Sequence, residues 1–347
     1  MTLGPGKPVE ALERTDATAK LTCRGVRKSY GDVVALAATD LTMSQGEFLT
    51  LLGPSGSGKT TLLMMIAGLS PVDGGEIWID DVRASHLPSY ARDIGMVFQS
   101  YALFPHMTVF ENIAFPLRMR RRPEAEIRTA VAAALEMVQL PHVAQRLPRE
   151  LSGGQQQRIA LARCFVYRPS IILMDEPLGA LDKKLRDQMQ YEIKQLQREV
   201  GATVLYVTHD QEEAMAMSDR ICLMNRGGIE QIGTPEDLYF RPVSLFAADF
   251  LGESNLFPGR VASLGRPAAV ELGGRTIAVP ALPADARAGG PVTVMVRPER
   301  VRVVGAGDPE GFAGTVRSVN LLAGVTRVVV DLDVGVAATV KMLTGVG

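Results

Sequence analysis

The run Gly53-Pro54-Ser55-Gly56-Ser57-Gly58-Lys59-Thr60-Thr61 fits the spacing G-x4-G-K-[ST]. Its glycines allow a tight turn with backbone N–H groups facing inward. Those N–H groups, with the N-terminus of a following helix, suit phosphate oxygens. Lys59 adds a full charge for the β- and γ-phosphates, and the Thr60 hydroxyl suits Mg2+. A second chemical pair follows the apolar run 171–174, namely Asp175-Glu176. A carboxylate at the end of a buried strand can reach a metal held beside the phosphates, and Glu176 can poise a water for attack. A third feature is Leu151-Ser152-Gly153-Gly154-Gln155, ahead of the helical run 156–164. Ser152 reads as an N-cap, and the flanking glycines leave the helix start open as a second anion site. One nucleotide rarely needs two such sites from one subunit, so a homodimer is expected, each chain offering this helix to the other's γ-phosphate.

These residues need elements to carry them. The runs 48–52, 171–174 and 203–207 lack polar alternation, as do strands covered on both faces of an α/β sheet. Helical patterns follow at 60–69, 183–200 and 211–217, with another at 124–138. Pro71 to Gly75 reads as a hairpin turn into a strand at 76–79. Arg118 to Arg122 reads as a solvated basic loop. After about Pro242 short strands at 292–296, 314–319 and 327–332, separated by Gly and Pro, predict a small all-β barrel.

The chain has 347 residues, enough for about two domains. Hydrophobic residues at 46% and charged residues at 22% exclude a largely disordered chain. A net charge of -1 argues against a protein that coats nucleic acid. No apolar run reaches the 18 or so residues of a membrane helix, and residues 1–20 have no signal core and read as a mobile tail. Cys23, Cys164 and Cys222 have no metal-ligand spacing and read as buried hydrophobes in a reducing compartment.

Leu151 to Gln155, lying between the phosphate loop and the Asp175 strand, resembles the signature sequence of ATP-binding cassette (ABC) ATPases. The resemblance extends over about 21–347. It implies that Tyr30 stacks on adenine, that Gln99 senses Mg2+ and the attacking water, that Leu181-Asp182 is a dimer-contact loop, and that His209 is the switch histidine on the γ-phosphate. Asp182 alone also reads as a helix cap. Tyr101 to Val109 with Glu111-Asn112-Ile113 is similar to importer ATPases that pair with a solute-binding protein, where this segment borders the groove for a membrane subunit's coupling helix.

The fold this implies is a P-loop (RecA-like) α/β domain at 21–240, with antiparallel β and helical subdomains, the latter at about 100–165. A linker at 241–255 and an OB-like (TOBE) β domain at 256–347 follow. That group usually continues through further strands, so an incomplete second domain is expected. The implied ligands are ATP and Mg2+, the metal held by Thr60, Gln99 and Asp175. The implied partners are a second copy, two integral membrane permease subunits and, indirectly, a periplasmic or extracellular solute-binding protein, with no nucleic acid. The implied location is peripheral, on the cytoplasmic face of the inner membrane. Among importers the sequence looks most like those for spermidine and putrescine, with iron, sugar and sulfate importers next. A soluble cassette ATPase acting on nucleic acid or ribosomes is the alternative of another class. Such chains usually carry tandem cassettes or basic insertions, which this one lacks.

Overall fold

The uninterrupted apolar runs form the central strands of a sheet, as their lack of alternation requires. A computed structural model describes residues 19–345, except 180, 306–307, 309–310 and 323. In chain order its first part comprises β1 (Ala19–Tyr30), β2 (Val33–Ser44), β3 (Phe48–Leu52), α1 (Lys59–Ala67), β4 (Gly74–Ile79), β5 (Val82–Arg83), β6 (Ile94–Val97), α2 (Val109–Met119), α3 (Glu124–Met137), α4 (Gly153–Phe165), β7 (Ile171–Asp175), α5 (Lys183–Val200), β8 (Val204–Thr208), α6 (Gln211–Met217), β9 (Arg220–Asn225), β10 (Gly228–Gly233) and α7 (Pro235–Phe240). The six-stranded sheet runs β10-β9-β3-β8-β7-β6, parallel except for the antiparallel edge strand β10. A second, antiparallel sheet runs β2-β1-β4-β5.

All five residues of β3 and of β8 are buried, and alternate side chains serve opposite faces. Leu49, Leu51, Leu173, Leu205 and Val207 pack with Leu62, Leu63 and Ile66 of α1 and with Leu21, Cys23 and Leu41 of the antiparallel sheet. Phe48, Ile172, Met174, Val204 and Tyr206 pack with α4 and α5 on the other face. Helix α4 also turns Ile159 and Ala162 toward α2 and α3, which form a helical subdomain with a core of their own. The three cysteines are buried and free, as expected.

Several expectations need correction. Of the expected 1–20 tail, residues 1–18 lie outside the described residues, and Ala19 and Lys20 already belong to β1. The Pro71 to Gly75 turn does not close a hairpin. It joins α1 to β4, and β4 pairs with the distant β1, Leu21 opposite Ile79. Tertiary pairing thus overrides the local turn signal. Arg118 to Arg122 is exposed throughout, as expected, and its part at 120–122 is the loop before α3. Arg118, in the last turn of α2, pairs with Glu124, while Arg120 pairs with Asp93 and lies 3.8 Å over the Tyr167 ring.

The chain divides into two units at Arg241 and Pro242. The expected linker contains helix α8 (Leu245–Phe250), capped by Ser244, and belongs to the second unit. There β11 (Asn255–Ser263), β12 (Ala268–Leu272), β13 (Arg275–Val279) and β14 (Pro291–Val296) form a sheet in the order β13-β12-β11-β14. The strands β15 (Gly314–Leu322), β16 (Val325–Leu332) and β17 (Ala337–Leu343) form another. The expected small all-β domain is built from these two antiparallel sheets. Asn255 joins them, donating to the Thr339 carbonyl and accepting from its N–H at 2.7 Å each. Arg297 is buried and donates to the carbonyls of Ala248 and Gly252, so α8 and its exit turn are pinned to the end of β14.

Candidate nucleotide site

Register decides what meets at the carboxyl edge of the parallel sheet, where ligands of open α/β sheets bind. Leu52 lies opposite Thr208, Asp175 opposite Val207, and Val97 opposite Met174. The loops after β3, β8, β7 and β6 therefore leave the sheet side by side, carrying Gly53 to Thr60, His209, Asp175-Glu176 and Gln99 respectively.

The Gly53 to Thr60 turn is shaped by neighbours that leave no room for side chains at Gly53 and Gly58. A Cβ on Gly58, at φ 99, would stand 2.8 Å from the Ala35 carbonyl oxygen of β2. One on Gly53 would meet the Met224 carbonyl of β9. Pro54 accepts from the Ser57 N–H at 3.3 Å, Gly227 donates to the Ser57 carbonyl at 3.2 Å, and α1 starts at Lys59. Ser55, Gly56 and Thr60 form the exposed rim, and Thr61 is half-buried. Lys59 is 5% exposed, and its ammonium donates to the Gly53 and Pro54 carbonyls at 2.8 and 2.9 Å. Burial lowers its pKa, opposed by the charges of Glu176 and Asp175.

Asp175 accepts from the Thr60 hydroxyl at 3.3 Å, and burial raises its carboxyl above the ordinary range. Glu176 has φ 45, the left-handed region, where a non-glycine residue costs about 1–3 kcal/mol. Its N–H still bonds the Val207 carbonyl at 3.0 Å, so the sheet holds the backbone while the side chain turns out of the strand line. Glu176 Oε1 lies 3.1 Å from Nδ1 of His209; the glutamate side chain is 25% exposed and the imidazole 59%. Gln99 is exposed on the loop after β6. A Cβ on Gly179 would stand 3.6 Å from its amide nitrogen, so this glycine leaves room for the glutamine.

The other site residues lie on separate elements. Ser152 caps α4 in a capping box with Gln155: its hydroxyl accepts from the Gln155 N–H at 3.4 Å, and the Gln155 amide oxygen accepts from its N–H at 3.0 Å. Ser152 and Gly153 are exposed, with open space at the Gly153 Cβ position, while Gly154 packs on Leu185 of α5. Among the described residues neither Ser152 nor Gln155 hydrogen-bonds to the phosphate loop of its own chain. Asp182 does cap α5, accepting from the Leu185 N–H at 3.0 Å, and remains exposed. Tyr30 ends β1 with its ring 56% exposed and the Lys28 ammonium 5.4 Å from its centroid.

Three features escaped sequence reasoning. One is the left-handed backbone of Glu176. Another is Arg163 of α4, which donates to the carbonyls of Ala102 and Tyr101 at 2.8 and 2.9 Å and so holds two consecutive left-handed residues beyond Gln99. The third is Arg186, which donates to Asp210 beside His209 at 3.0 Å. No spacing rule signals such pairings, because they join segments that only the sheet brings together.

The donor set fits a nucleotide triphosphate with a divalent metal. The crowded glycine turn is a backbone cradle for an anion. The buried lysine, whose pKa burial lowers, gains from an added anion, and the half-buried Asp175, whose carboxyl is raised, gains from an added cation. Mg2+ needs only one or two protein ligands beside phosphate oxygens, which Thr60 and Asp175 can provide.

The family model for ABC transporters matches residues 36–179, and that for the TOBE domain residues 294–345. The chain is 48% identical over 319 residues to the spermidine/putrescine import ATP-binding protein PotA of Marinobacter nauticus, covering 91% of this chain and 85% of that protein. With PotA of Salmonella typhi it is 49% identical over 331 residues, covering 90% and 83%. Among solved structures, a dimeric ATP-binding cassette in a post-hydrolysis state bound to ADP and Pi is 36% identical, with a TM-score of 0.56 over 62% of this chain and 98% of that one. CbiO1 from Clostridium perfringens, part of an ABC transporter complex, is 27% identical, with a TM-score of 0.60 over 65% of this chain and 92% of that one. No helix among the described residues is long and apolar enough to cross a membrane.

Proposed function

Since this chain belongs to the ABC transporter family, as an ATP-hydrolysing subunit with a TOBE domain, we propose that it energises import of a polyamine, spermidine or putrescine, through a membrane permease. The observation that carries the cargo is its 48–49% identity, over about nine-tenths of the chain, to proteins named for spermidine/putrescine import. The chemistry rests on the meeting of Lys59, Thr60, Asp175, Glu176 and His209 at one sheet edge.

Two chains close on two ATP molecules. Each nucleotide stacks on Tyr30, lies in the Gly53 to Thr61 turn of one chain and meets Ser152, Gly153, Gly154 and Gln155 of the other. The exposed α4 N-terminus supplies N–H groups to the γ-phosphate, so ATP acts as a ligand that joins the halves. Lys59 neutralises the β- and γ-phosphates. Thr60, Gln99 and Asp175 would hold Mg2+, which neutralises charge developing on the phosphate oxygens. Glu176 takes the proton of the attacking water while His209, braced by Glu176, contacts the γ-phosphate. Asp182 contacts the partner chain. Hydrolysis removes the charge that joined the halves, the dimer reopens, and two integral permease subunits change access. The ATPase sits peripherally on the cytoplasmic face of the inner membrane, and a periplasmic or extracellular binding protein acts on it only through the permease.

The test is ATPase activity of the chain reconstituted with the permease subunits encoded beside it, assayed with each solute and its binding protein. Stimulation by a polyamine alone is expected. Stimulation by iron, sugar or sulfate would replace the cargo and keep the mechanism. Salt-dependent binding of nucleic acid by the free chain, with no stimulation by any solute, would refute the importer reading.

A further inference from the structure

We propose that Arg186 is a positioning residue, one that ties the loop ending at Asp182 to the Thr208-His209-Asp210 turn and thereby aims the imidazole at Glu176. The inference rests on the role proposed above for His209.

Two chain segments are involved, one from Glu176 to Arg186 and one from Thr208 to Glu213. They touch at both ends. At one end His209 Nδ1 lies 3.1 Å from Glu176 Oε1. At the other, Arg186 donates from Nη1 to Asp210 Oδ2 at 3.0 Å and from Nη2 to the Leu181 carbonyl at 3.1 Å. Its Nε lies 3.9 Å from Glu213 Oε1. One planar guanidinium therefore hydrogen-bonds a loop carbonyl and the Asp210 carboxylate at once, with its buried Nε facing Glu213 beyond hydrogen-bond reach, a geometry a lysine ammonium does not reproduce. The Arg186 and Asp210 side chains are 29% and 24% exposed, so the pair is partly shielded from solvent.

The turn around His209 is otherwise held only through its neighbours. The other oxygen of Asp210 accepts from the N–H groups of Glu212 and Glu213 at 2.8 and 3.3 Å, and its own N–H donates to the Thr208 hydroxyl at 2.9 Å. Thr208 donates onward to Glu213 at 2.7 Å, as does Tyr206. The residues on either side of His209 are thus anchored to α6, and Arg186 anchors α6 to α5. Without it, the sheet bond from the Glu176 N–H to the Val207 carbonyl and the exposed Lys183–Glu212 pair at 3.6 Å remain, but the partly shielded tie between the Asp182 loop and the residue after His209 is lost. Because Asp182 is exposed at the same loop, a partner chain that moves this loop also moves Asp210 and His209.

The test measures steady-state ATP hydrolysis by the full chain, with melting curves for every variant. Arg186→Met is expected to lower kcat about ten- to a hundredfold, the range typical of residues that orient a reacting side chain. The KM for ATP stays within about twofold, because Arg186 has no bond to the phosphate loop. Arg186→Lys recovers only part of the loss. In a His209→Ala background Arg186→Met costs less than about twofold more, since the group it positions is gone. Should Arg186→Met fail to fold, Asp210→Asn, which keeps the helix cap and removes the charge partner, takes its place in the same cycle. A kcat within twofold of wild type for Arg186→Met, with His209→Ala impaired, overturns the positioning role alone. A full loss from Arg186→Met that persists in the His209→Ala background also overturns it. Wild-type hydrolysis by His209→Ala overturns the role of His209 and the inference with it.

Discussion

Glu176→Gln separates the chemistry of the site from its architecture. Removing a general base costs about 10²- to 10⁴-fold in rate, which is roughly 3–5 kcal/mol on the barrier. Gln has nearly the same volume and a carbonyl oxygen where Glu176 Oε1 now lies 3.1 Å from His209 Nδ1, so that contact survives. The backbone stays at φ 45, with its N–H on the Val207 carbonyl. The folded state loses at most part of one contact to an imidazole that is 59% exposed, worth less than about 1 kcal/mol after solvent screening. A change of that size moves the melting temperature by no more than about 4 °C in a domain of this size. The loss on the barrier therefore far exceeds the loss of stability. The expected variant is well folded, binds ATP, forms an ATP-dependent dimer by light scattering, and turns over at least about a hundredfold more slowly. Hydrolysis near the wild-type rate would refute Glu176 as the base. Loss of ATP-dependent dimerisation with normal melting would refute the separation of binding from chemistry.

Three further outcomes follow. Gly58→Ala forces a Cβ to 2.8 Å from the Ala35 carbonyl at φ 99, a backbone cost of roughly 1–2 kcal/mol before the clash; ATP titration should show at least about tenfold weaker binding, and unchanged affinity would refute the crowded cradle. Arg92→Met strips the Ile66 and Leu87 carbonyls of donors 2.9 Å away and leaves the Met65 carbonyl with the Gly68 N–H at 3.1 Å; at about 1–3 kcal/mol for each of the two orphans the melting temperature should fall by roughly 4 °C or more, and a smaller change in thermal melts would refute the anchoring of the α1 C-terminus. Glu213, facing Asp210, Arg186, Tyr206 and Thr208, has its carboxyl raised from 4.5, chiefly by burial. The native state then binds more protons than the unfolded chain from 4.5 up to the raised value, so this contribution to stability is present below that window and is lost as pH rises through it. Glu213→Gln should flatten the fall in melting temperature across that window, and an unchanged slope would refute the assignment.

Much of the site was legible because its signals are local. The glycine spacing before Lys59 needs only a strand before it and a helix after it, and β3 and α1 supply them. Ser152 and Asp182 are caps, read from a polar residue followed by a helical run, and each accepts the expected N–H. The misreadings arose where distant partners outcompete local preference. Pro71 to Gly75 has the composition of a hairpin turn, yet β4 pairs with β1, some fifty residues earlier. Arg118 to Arg122 is a solvated run as read, yet nothing in its pattern signals that Arg120 meets Tyr167 and Asp93 across the fold.

The sequence by itself determined the phosphate-binding turn, the apolar strands, the capped helices and the types of the reacting groups, because each depends on neighbours a few residues apart. It did not determine which loops leave the sheet together. That depended on the order β3-β8-β7-β6 and on a register that sets Leu52 opposite Thr208 and Asp175 opposite Val207. Only the tertiary structure decided that Glu176 would be turned into the left-handed region against His209, and that Arg186 would reach Asp210 from another helix. The physical reason is that strand pairing and side-chain packing join residues far apart in the chain, and those long-range contacts carry no periodicity that a local pattern can record.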